Sequence, residues 1–423
     1  MRTTRQPIGD ALRVPGDKSI THRALMLAAL APGTSQVRGP LTSLDARSTA
    51  RVLRALGAEI SALRHGADVT VEGRARFSAP ARPLDCGNSG TTARLLLGLL
   101  AAHPFEARVT GDRSLRHRPM ARIAEPLAQM GATFEPPAER LPLAITGGRL
   151  RPTQWTLPVA SAQIKSALLL AGMAGDVAVM LNEPAPSRDH TERLLRRFGY
   201  IVEAGEGVVH FAPTGRLEPF ELDVPGDASS AAFVAAAAML GGFEVAVEGV
   251  GLNPGRTGWL DVVARMGCPV DVESHGDAGG EPTGTLVVTP TPLRATDIAA
   301  GEVPSLIDEL PILACLAARA EGTSRFHGLA ELRVKESDRL ALLAENLTRV
   351  GATARVEGDD LVVEGSDVPL AGAVVTEGDH RIAMAFQVLG LAPGCAITVD
   401  DPDCADVSFP GFAATLADLE ARR

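Results

Sequence analysis

The sequence predicts an α/β (α+β) protein of two similar domains, each built from three repeated units in which strands accompany a buried helix. Three observations predict this class: a recurring helix–glycine–strand pattern, a series of almost wholly apolar helices, and a Val-Pro-Gly-Asp turn that occurs twice. A chain of 423 residues is also too long for one ordinary hydrophobic core, so more than one domain is expected.

The helix–glycine–strand pattern occurs five times, at intervals of roughly 70 residues. In each copy an amphipathic helix stops at a glycine, which suits the left-handed position after a helix, and strand-like alternation follows. A chain of this length holds six such units, each predicted to run strand, buried helix, strand, surface helix, strands. The copies are LRALGAEI (53–60), LAQMGATF (127–134), LLRRFGYIV (194–202), VVARMGCPV (262–270) and LTRVGATARV (347–356).

A second series of helices is apolar on nearly every face, which is typical of helices buried inside a domain. Six repeats could also form a solenoid, but solenoid units are shorter and stack in line, so closed domains are favoured. The apolar helices are RALMLAAL (23–30), TARLLLGLLA (92–101), QIKSALLLAGMA (163–174), SAAFVAAAAML (230–240), LPILACLAARA (310–320) and RIAMAFQVLGLA (381–392).

The turn VPGD occurs at 14–17 and at 224–227, each time directly before an apolar helix. Pro-Gly-Asp is a common turn, so the repetition could be a coincidence. A doubled motif half a chain apart instead favours two similar domains, with the chain crossing between them at these turns. The predicted first domain is therefore discontinuous, 1–16 plus 226–423, the second is 17–225, and the active site is expected in the cleft between them.

Composition and charge restrict the class of function. A hydrophobic content of 45% with 22% charged residues is typical of a globular protein, and a net charge of -10 argues against non-specific nucleic-acid binding. No signal peptide and no run of ~18 apolar residues is seen, so no membrane partner is expected. A reducing cytoplasm is favoured, because the cysteines lack paired or metal-type spacing: Cys86, Cys268, Cys315, Cys395 and Cys404.

Polar residues concentrate at the entrances of the apolar helices. The amino terminus of a helix offers free N–H groups and a positive dipole end, so it is a natural anion site. Each polar group alone could be a simple helix cap, but six entrances that also supply Lys, Arg and Gln favour a shared ligand cleft. In chain order they carry Lys18-Ser19, Asn88-Ser89-Gly90, Ser161-Ala162-Gln163, Asp227-Ser229-Ser230, Asp308-Glu309 and Asp379-His380-Arg381.

Three further stretches add basic side chains. The first lacks a hydrophobic period and is predicted to be a loop. In the second, Arg188 stands at a helix entrance, and in the third, Lys335 and Arg339 share a helix face if the helix has begun by Lys335. Taken singly, such charges are usually solvated caps or ion pairs. The stretches are GDRSLRHRPM (111–120), PSRDHTERLLRRFG (186–199) and ELRVKESDRLALLAENL (331–347).

Together these groups indicate two bound anions and one proton-transfer pair. Arginines bind phosphate and carboxylate through paired hydrogen bonds, and Asp308 and Glu336 are the carboxylates best placed for acid–base work. A nucleotide P-loop is excluded, because Asp17 separates Gly16 from Lys18. The histidines show no HxH or HExxH spacing, so neither a metal nor a cofactor is expected. A reaction between phosphorylated small molecules follows.

Eight motifs, in order across nearly the whole chain, resemble those of the 5-enolpyruvylshikimate-3-phosphate synthase family, the 3-phosphoshikimate 1-carboxyvinyltransferases. They are VPGDKSITHRALMLAAL, LDCGNSGTTARLLLGLL, GDRSLRHRPM, SAQIKSALLLAG, SRDHTERLL, LIDELPILA, RVKESDRL and GDHRIAMAF. The resemblance implies two domains of three βαβαββ units with buried parallel helices, the inverse α/β-barrel-like fold of enolpyruvyl transferases. It also implies transfer of the enolpyruvyl group of phosphoenolpyruvate to the 5-hydroxyl of shikimate 3-phosphate, releasing phosphate, on the route to chorismate and aromatic amino acids.

The resemblance also implies roles for individual residues. Asp308 would accept the proton of the attacking hydroxyl, Glu336 would exchange protons with the methylene carbon of phosphoenolpyruvate, and Lys18 would stabilise the tetrahedral intermediate. The contacts implied for shikimate 3-phosphate are Lys18, Ser19, Arg23, Ser161, Ala162, Gln163, Arg188, Asp308 and Lys335. The contacts implied for phosphoenolpyruvate are Lys18, Asn88, Gly90, Arg118, Gln163, Arg339 and Arg381.

Two positions bear on how this chain differs within the family. Val407 stands where some members carry a basic residue, so one cationic contact to phosphoenolpyruvate is expected to be missing or supplied by another residue. Gly90, rather than alanine, leaves room for the larger inhibitor glyphosate. We therefore expect the enzyme to be sensitive to glyphosate.

Two alternative functions stand beside this interpretation. A UDP-N-acetylglucosamine enolpyruvyl transferase shares the six-unit fold but usually carries a reactive cysteine in the loop corresponding to 111–119, where this sequence has none. A catalytically dead binding protein of the same fold would be expected to lose charge from at least one helix entrance. In this sequence a suitable residue is present for every basic and acidic role named above. No exposed heptad or apolar stripe indicates a protein partner, so a monomer is expected.

Overall fold

The computed structural model describes residues 11–421, so residues 1–10 and 422–423 of the predicted first domain lie outside the described part. Packing divides the chain into two units, which meet in sequence within the two Val-Pro-Gly-Asp turns. The predicted division puts 278–281 in the first domain, whereas this short segment packs with the second unit. The first unit is Met1–Pro15, Pro225–Asp277 and Pro282–Arg423, and the second is Gly16–Val224 and Ala278–Glu281.

The strands are numbered in chain order. They are β1 (Leu12–Arg13), β2 (Gly33–Arg38), β3 (Glu59–Ile60), β4 (Val69–Gly73), β5 (Leu84–Asp85), β6 (Glu106–Thr110), β7 (Thr133–Phe134), β8 (Leu143–Thr146), β9 (Thr153–Thr156), β10 (Val179–Asn182), β11 (Ile201–Gly205), β12 (Val208–Ala212), β13 (Glu221–Asp223), β14 (Val245–Gly251), β15 (Val270–Ala278), β16 (Glu281–Val288), β17 (Thr323–Phe326), β18 (Thr353–Glu357), β19 (Asp360–Glu364), β20 (Ala371–Val374) and β21 (Ala396–Val399).

The α-helices are numbered in the same way, and two 3₁₀ helices lie at Ala330–Val334 and Pro402–Val407. The α-helices are α1 (Lys18–Leu30), α2 (Leu44–Ala55), α3 (Gly90–Ala101), α4 (Arg113–His117), α5 (Ala121–Met130), α6 (Ala162–Gly175), α7 (His190–Arg197), α8 (Ala228–Gly241), α9 (Gly258–Arg265), α10 (Val303–Leu306), α11 (Leu310–Ala317), α12 (Arg339–Arg349), α13 (His380–Leu389) and α14 (Phe412–Glu420).

The second unit contains three four-stranded sheets with one shared topology. Their strand orders are β13-β2-β4-β3, β5-β6-β8-β7 and β9-β10-β12-β11. In each sheet the first two strands are parallel and the remaining pairs are antiparallel. A parallel pair needs a crossover, and α3 and α6 supply it in the second and third sheets. The predicted order of strand, buried helix, strand, surface helix and strands is confirmed in these sheets.

The first unit repeats this pattern with progressively fewer strands. Its sheets have the orders β1-β14-β16-β15, β17-β19-β18 and β20-β21. In the three-stranded sheet an isolated parallel bridge between Ile298 and Phe326 stands in place of a first strand. After β21 the described chain continues as the 3₁₀ helix Pro402–Val407 and α14 rather than as a strand pair. The sixth unit is therefore shorter than the pattern predicts.

Buried helices form the core of each unit, as predicted. In the second unit α3 packs on α6, and in the first unit α8, α11 and α13 pack on one another. Every residue of α8 is buried. The close contact of α3 with α6 needs a glycine, because a Cβ atom on Gly98 of α3 would lie 2.1 Å from the carbonyl oxygen of Ala167 in α6.

The five glycines predicted to stop surface helices all adopt positive φ angles. The left-handed region is costly for residues with a Cβ atom, so glycine ends these helices without strain. This confirms the sequence interpretation of the repeat. The angles are 102° at Gly57, 120° at Gly131, 81° at Gly199, 93° at Gly267 and 93° at Gly351.

One local prediction is wrong. The stretch GDRSLRHRPM was expected to be a loop, but it contains α4 (Arg113–His117). Asp112 caps this short helix by accepting a hydrogen bond from the backbone N–H of Leu115 at 2.8 Å, and the Leu115 side chain is buried. One cap and one buried side chain are enough for a single helical turn, and neither gives a hydrophobic period.

No helix formed by residues 11–421 has the length and apolar character needed to cross a membrane.

Candidate active site

The entrance of α1 holds the first group of predicted site residues. Asp17 caps the helix by accepting a hydrogen bond from the backbone N–H of Ile20 at 2.9 Å. Lys18 is therefore the first helical residue, and its ammonium group pairs with the carboxylate of Asp45 on α2. Asp45 was not among the predicted residues. Ser19 follows Lys18 and is partly buried.

Arg23 lies further along α1 and is buried. It donates to the hydroxyl of Thr191 at 2.7 Å, to the hydroxyl of Ser166 at 2.7 Å and to the carbonyl of Ser19 at 2.8 Å. Burial lowers the pKa of Arg23 to about 10, although the nearby Glu192 carboxylate acts in the opposite direction. The guanidinium is still charged near pH 7. The site thus contains a buried cation whose hydrogen bonds go to neutral oxygens.

The GNSG turn forms the entrance of α3. Ser89 caps the helix. The Asn88 side chain contacts two residues of the 111–120 stretch, Asp112 and Arg118. Its amide donates to Asp112 at 2.6 Å and its carbonyl accepts from Arg118 at 2.6 Å. Gly90 faces the same arginine, because a Cβ atom there would lie 3.0 Å from Nη1 of Arg118. The turn and the arginine are therefore fixed to each other.

Arg94 is a site residue that the sequence interpretation missed. It is buried in α3, donates to the side-chain oxygen of Gln163 on α6, and donates to the carbonyl of Pro119 at 3.3 Å. Gln163 in turn donates to Thr91 at 3.0 Å. The available signal was a lone arginine inside the apolar stretch TARLLLGLLA, since a buried charge needs a partner or a ligand.

The entrances of α6 and α7 carry the remaining predicted residues of this unit. Ser161 caps the helix, with Oγ 3.5 Å from the backbone N–H of Ile164, and Ala162 is the first helical residue. Arg188 is partly exposed and precedes α7 by two residues. It follows Ser187, whose carbonyl accepts a hydrogen bond from the buried Lys165 at 3.1 Å.

Lys165 fixes this segment through a buried ion cluster. Its ammonium group lies 2.8 Å from a carboxylate oxygen of Glu183 and 2.7 Å from one of Glu192. Burial alone would lower the pKa of Lys165, but the two carboxylates raise it overall. Burial raises the pKa of Glu192. The segment that carries Arg188 is thus attached to α6 by charge as well as by backbone contact.

In the first unit Arg339 and Arg381, two of the predicted residues, contact Asp379. This carboxylate caps α13 by accepting from the backbone N–H of Arg381 at 2.9 Å. It also accepts from Nε and Nη2 of Arg339 at 2.9 and 3.1 Å, and Nη2 donates to Glu336 at 2.6 Å as well. Burial would lower the pKa of Arg339, but the Asp379 and Glu336 carboxylates raise it overall. The sequence interpretation treated Asp379 only as part of a helix entrance.

Asp308 and Arg381 form a second pair in this unit. Nη1 of Arg381 donates to the backbone carbonyl of Asp308 at 3.1 Å, and Nε lies 3.7 Å from the Asp308 carboxylate. The Asp308 side chain keeps 18% of its surface exposed, and that of Glu336 keeps 19%. Both carboxylates therefore combine a nearby arginine with access for a ligand.

Lys335 and Arg339 do not share a helix face, because the condition for it, a helix that has begun by Lys335, is not met. Asp338 caps α12 by accepting from the backbone N–H of Ala341 at 3.1 Å, so the helix begins at Arg339. Lys335 instead follows the 3₁₀ helix Ala330–Val334 and is partly exposed. Val407 is the last residue of the other 3₁₀ helix and contributes no charge.

These arrangements define what each unit can do chemically. The second unit presents buried or partly buried cations at helix amino termini, an environment that favours phosphate and carboxylate ligands. The first unit presents two partly exposed carboxylates beside arginines, which suits proton transfer close to an anion. Within residues 11–421, no group of His, Cys, Asp and Glu is arranged to hold a metal ion.

Comparisons with known proteins agree with this chemistry. Residues 3–416 match the family described as EPSP synthase (3-phosphoshikimate 1-carboxyvinyltransferase). The chain is 46% identical to the 3-phosphoshikimate 1-carboxyvinyltransferase of Acidiphilium cryptum, covering 99% of this chain and 96% of the relative. It is 48% identical to the protein of the same name from Thermus thermophilus, covering 98% and 97%.

Solved structures give the same result. An EPSP synthase from Acinetobacter baumannii superposes with a TM-score of 0.84 at 40% identity, covering 97% of this chain and 95% of that one. The enolpyruvyl transferase NikO from Streptomyces tendae superposes with a TM-score of 0.76 at 19% identity, over the same shares of the two chains, and shares the fold. From the extent and identity of these matches, the chain belongs to the EPSP synthase family.

Proposed function

We propose that this protein transfers the enolpyruvyl group of phosphoenolpyruvate to the 5-hydroxyl of shikimate 3-phosphate and releases phosphate. The observation that carries the proposal is that one chain of this family contains both a buried cation suited to an anionic substrate and a carboxylate suited to proton transfer. In the second unit Arg23 is a buried cation that donates hydrogen bonds to two hydroxyls. In the first unit Glu336 accepts a hydrogen bond from the guanidinium of Arg339. Two anionic substrates and a proton-transfer step need both kinds of group.

In this proposal the second unit binds the phosphates. Lys18, Ser19 and Arg23 bind the phosphate of shikimate 3-phosphate, together with the α6 entrance formed by Ser161, Ala162 and Gln163, and Arg188 packs near the ring. Asn88, Gly90 and Arg118 bind phosphoenolpyruvate. Free N–H groups and dipoles at three helix amino termini support these assignments, because they favour anions.

The first unit supplies the remaining contacts and the acid–base groups. Arg339 and Arg381 bind the phosphoenolpyruvate carboxylate, and Asp308 and Lys335 bind the ring hydroxyls. Arg339 is supported in this role by its fixed orientation, since Asp379 holds two of its nitrogens. The proposal therefore requires that residues of both units contact the same pair of substrates.

The chemistry is an addition followed by an elimination. In the addition, Asp308 accepts the proton of the 5-hydroxyl, the oxygen bonds to C2 of phosphoenolpyruvate, and Glu336 gives a proton to C3. In the elimination, Glu336 takes a proton back from C3, the double bond re-forms and the C2–phosphate bond breaks. Lys18 stabilises the tetrahedral intermediate and the departing phosphate.

A phosphate-release assay with both substrates tests the proposal. We expect release that depends on both substrates, and we expect kcat to fall by roughly 10²–10⁴-fold in Asp308→Ala and Glu336→Gln. Glu345→Gln is the matched control, because Glu345 is an exposed residue of α12 that pairs with Arg349 at the surface. Phosphate release with UDP-N-acetylglucosamine in place of shikimate 3-phosphate would refute the assignment.

We further propose that the enzyme acts as a monomer in the cytoplasm. The described free cysteines support a reducing compartment. Light scattering during size-exclusion chromatography tests the oligomeric state, with a mass near 44.1 kDa as the expected result.

A further inference from the structure

A buried row of polar side chains connects α1 to α3 by way of α2. Helix α2 meets α1 at two points one helical turn apart: Asp45 pairs with Lys18, and Thr49 contacts His22. Since residues four apart share a helix face, both pairs lie along one line of contact. The sequence interpretation treated α2 only as a surface helix. Its inner face instead carries buried polar groups next to the candidate site.

The row continues from Thr49 to the cap of α3. Nδ1 of His22 lies 2.6 Å from the Thr49 hydroxyl oxygen, which lies 2.6 Å from that of Thr92. The Thr92 hydroxyl then donates to Oγ of Ser89 at 2.7 Å, and Ser89 is the residue that caps α3. All four side chains have no exposed surface.

The direction of these hydrogen bonds follows from proton counting. Each hydroxyl has a single proton to donate. Because Thr92 donates to Ser89, Thr49 must donate to Thr92, and the Thr49 oxygen is then left to accept from His22. Nδ1 of His22 therefore carries the proton, and Nε2, which has no hydrogen-bond partner among the described residues, is the bare nitrogen.

The surroundings of His22 agree with a neutral ring. Burial, together with the charges of Lys18 and Arg23, lowers the pKa of His22 well below its ordinary value. A neutral imidazole has one N–H and one lone pair, so its single donor is committed to Thr49.

We propose that His22, Thr49 and Thr92 are positioning residues that hold the α3 entrance in register with the α1 entrance. They touch neither substrate and act through Ser89, which sets the conformation of the turn carrying Asn88 and Gly90. Directional hydrogen bonds fix the sliding of one helix on another more tightly than apolar contacts alone. The inference rests on the proposed function, which places shikimate 3-phosphate at the α1 entrance and phosphoenolpyruvate at the α3 entrance.

The functional reason is distance. The two substrates must be held with their reacting atoms nearly in contact, and a displacement of about 1 Å can cost up to 100-fold in rate. The entrances of α1 and α3 each have their own cap, Asp17 and Ser89, which orders each helix by itself. The row of hydrogen bonds through Thr49 connects the α1 entrance to the α3 entrance.

Substitution of the central hydroxyl gives the kinetic test. Thr49→Val keeps the shape of the side chain but removes the hydroxyl, whereas Thr49→Ser keeps the hydroxyl and removes a methyl group. We expect kcat/KM for phosphoenolpyruvate to fall about tenfold in Thr49→Val and to stay within about twofold of the parent in Thr49→Ser. The KM for phosphoenolpyruvate should rise more than the KM for shikimate 3-phosphate, because Ser89 acts on the α3 entrance. Equal kinetics in the two variants would overturn the proposal.

Nitrogen NMR of the unliganded protein gives a test that does not depend on activity. With ¹⁵N-labelled histidine, the resonance pair lost in His22→Asn identifies His22, and we expect it to show a protonated Nδ1 and a bare Nε2 at pH 7. The opposite tautomer would overturn the proposed hydrogen-bond direction. An inactive parent enzyme with a protonated Nδ1 would refute the proposed function and leave the polar row itself intact.

His22→Asn and His22→Met complete the design. An asparagine amide can donate from the position of Nδ1, whereas methionine fills the space without a donor. We expect His22→Asn to retain kcat/KM for phosphoenolpyruvate within about threefold, and His22→Met to match the loss in Thr49→Val. If both variants fold, as shown by circular dichroism, and His22→Met is as active as His22→Asn, the donor has no role and the proposal fails.

Discussion

Arg23 in the second unit and Arg339 in the first unit are both buried arginines among the predicted site residues, and their surroundings shift their pKa values in opposite directions. Burial lowers the pKa of Arg23, whose hydrogen bonds go to two hydroxyls and a carbonyl. The pKa of Arg339 is raised, because Asp379 and Glu336 outweigh the effect of burial. The same side chain is thus held by neutral dipoles in one unit and by carboxylates in the other.

Neighbouring cations do not all follow this contrast, since Lys18 of the second unit pairs with the Asp45 carboxylate. In the second unit Arg118 donates to the amide of Asn88, and Arg94 donates to the amide of Gln163. In the first unit Arg381 lies beside the carboxylate of Asp308. Neutral partners leave a positive charge available to a dianionic phosphate, whereas carboxylate partners use much of that charge for orientation. For Arg23 and Arg339 this difference matches the proposed division between phosphate binding and acid–base work.

The strongest test of this comparison removes each arginine in turn. Arg339→Gln leaves Asp379 buried without its guanidinium, so we expect a loss of about 3–5 kcal/mol in the free energy of unfolding. Arg23→Gln weakens hydrogen bonds to two hydroxyls and a carbonyl, all of them neutral, so we expect a loss of roughly 1–2 kcal/mol in the free energy of unfolding. Equal losses in the two variants would contradict the comparison.

The two tryptophans allow each unit to be followed separately. Trp155 lies on β9 of the second unit and Trp259 on α9 of the first. Urea unfolding of Arg339→Gln should be followed in a Trp155→Phe background, and that of Arg23→Gln in a Trp259→Phe background. The parent backgrounds are the controls for each fluorescence signal.

A second test uses pH to separate the units. Burial is the main cause that lowers the pKa of both His22 and His103, and both histidines belong to the second unit. In the unfolded chain these histidines take up protons near pH 6.5, whereas in the folded unit they take them up only at lower pH. The free energy of unfolding of the second unit is therefore undiminished by these two histidines above about pH 6.5. It falls as the pH falls below that value, by up to about 1.4 kcal/mol per pH unit for each histidine.

We expect the Trp155 signal to report this loss between about pH 6.5 and 5, before the Trp259 signal changes. His22→Asn should reduce the slope of stability against pH in the second unit, since one of the titrating groups is gone. The assignment to His22 would be contradicted by an unchanged slope in that variant, or by unfolding of the first unit at a higher pH than the second.

The smallest expected effect concerns Gly90. A methyl group there would lie 3.0 Å from Nη1 of Arg118 and 3.6 Å from Nη1 of Arg94, so a guanidinium must move aside. Because both arginines donate to side-chain amides, which can shift with them, we expect a modest cost of about 1 kcal/mol, or roughly fivefold in the KM for phosphoenolpyruvate.

Glyphosate gives the companion measurement. We expect inhibition of the parent enzyme at sub-millimolar concentration and a larger loss of inhibition than of substrate affinity in Gly90→Ala. Gly148→Ala is the matched control, because a Cβ atom on Gly148 meets nothing within 4 Å. Inhibition of the parent only at millimolar concentration would be evidence against the expected sensitivity.

Much of the fold could be predicted from local sequence signals. The glycine at each helix stop reports its own backbone geometry, and the apolar stretches report burial directly. The same signals failed for α4, where one cap replaces periodicity, and they left open whether a helix includes Lys335, which the cap at Asp338 decides. Such short elements depend on single hydrogen bonds, which leave little pattern in a sequence.

Candidate site residues could be proposed one by one from the sequence, but their contacts with one another could not. Motifs gave the cations and carboxylates, yet not the partners that distinguish Arg23 from Arg339. Asp379 lies 40 residues from Arg339, and Gln163 lies 69 residues from Arg94. No local pattern records pairs at such separations, since they form only when the buried helices pack.

The sequence by itself therefore determined the repeat, the helix stops, the family and the identity of the charged residues at the helix entrances. These properties depend on backbone geometry, hydrophobic period and residue type, all of which are local. Only the tertiary structure decided that Arg23 meets hydroxyls, that Arg339 meets two carboxylates, and that His22 is linked to Ser89. Those outcomes depend on which side chains share a buried, low-dielectric space, and packing alone sets that.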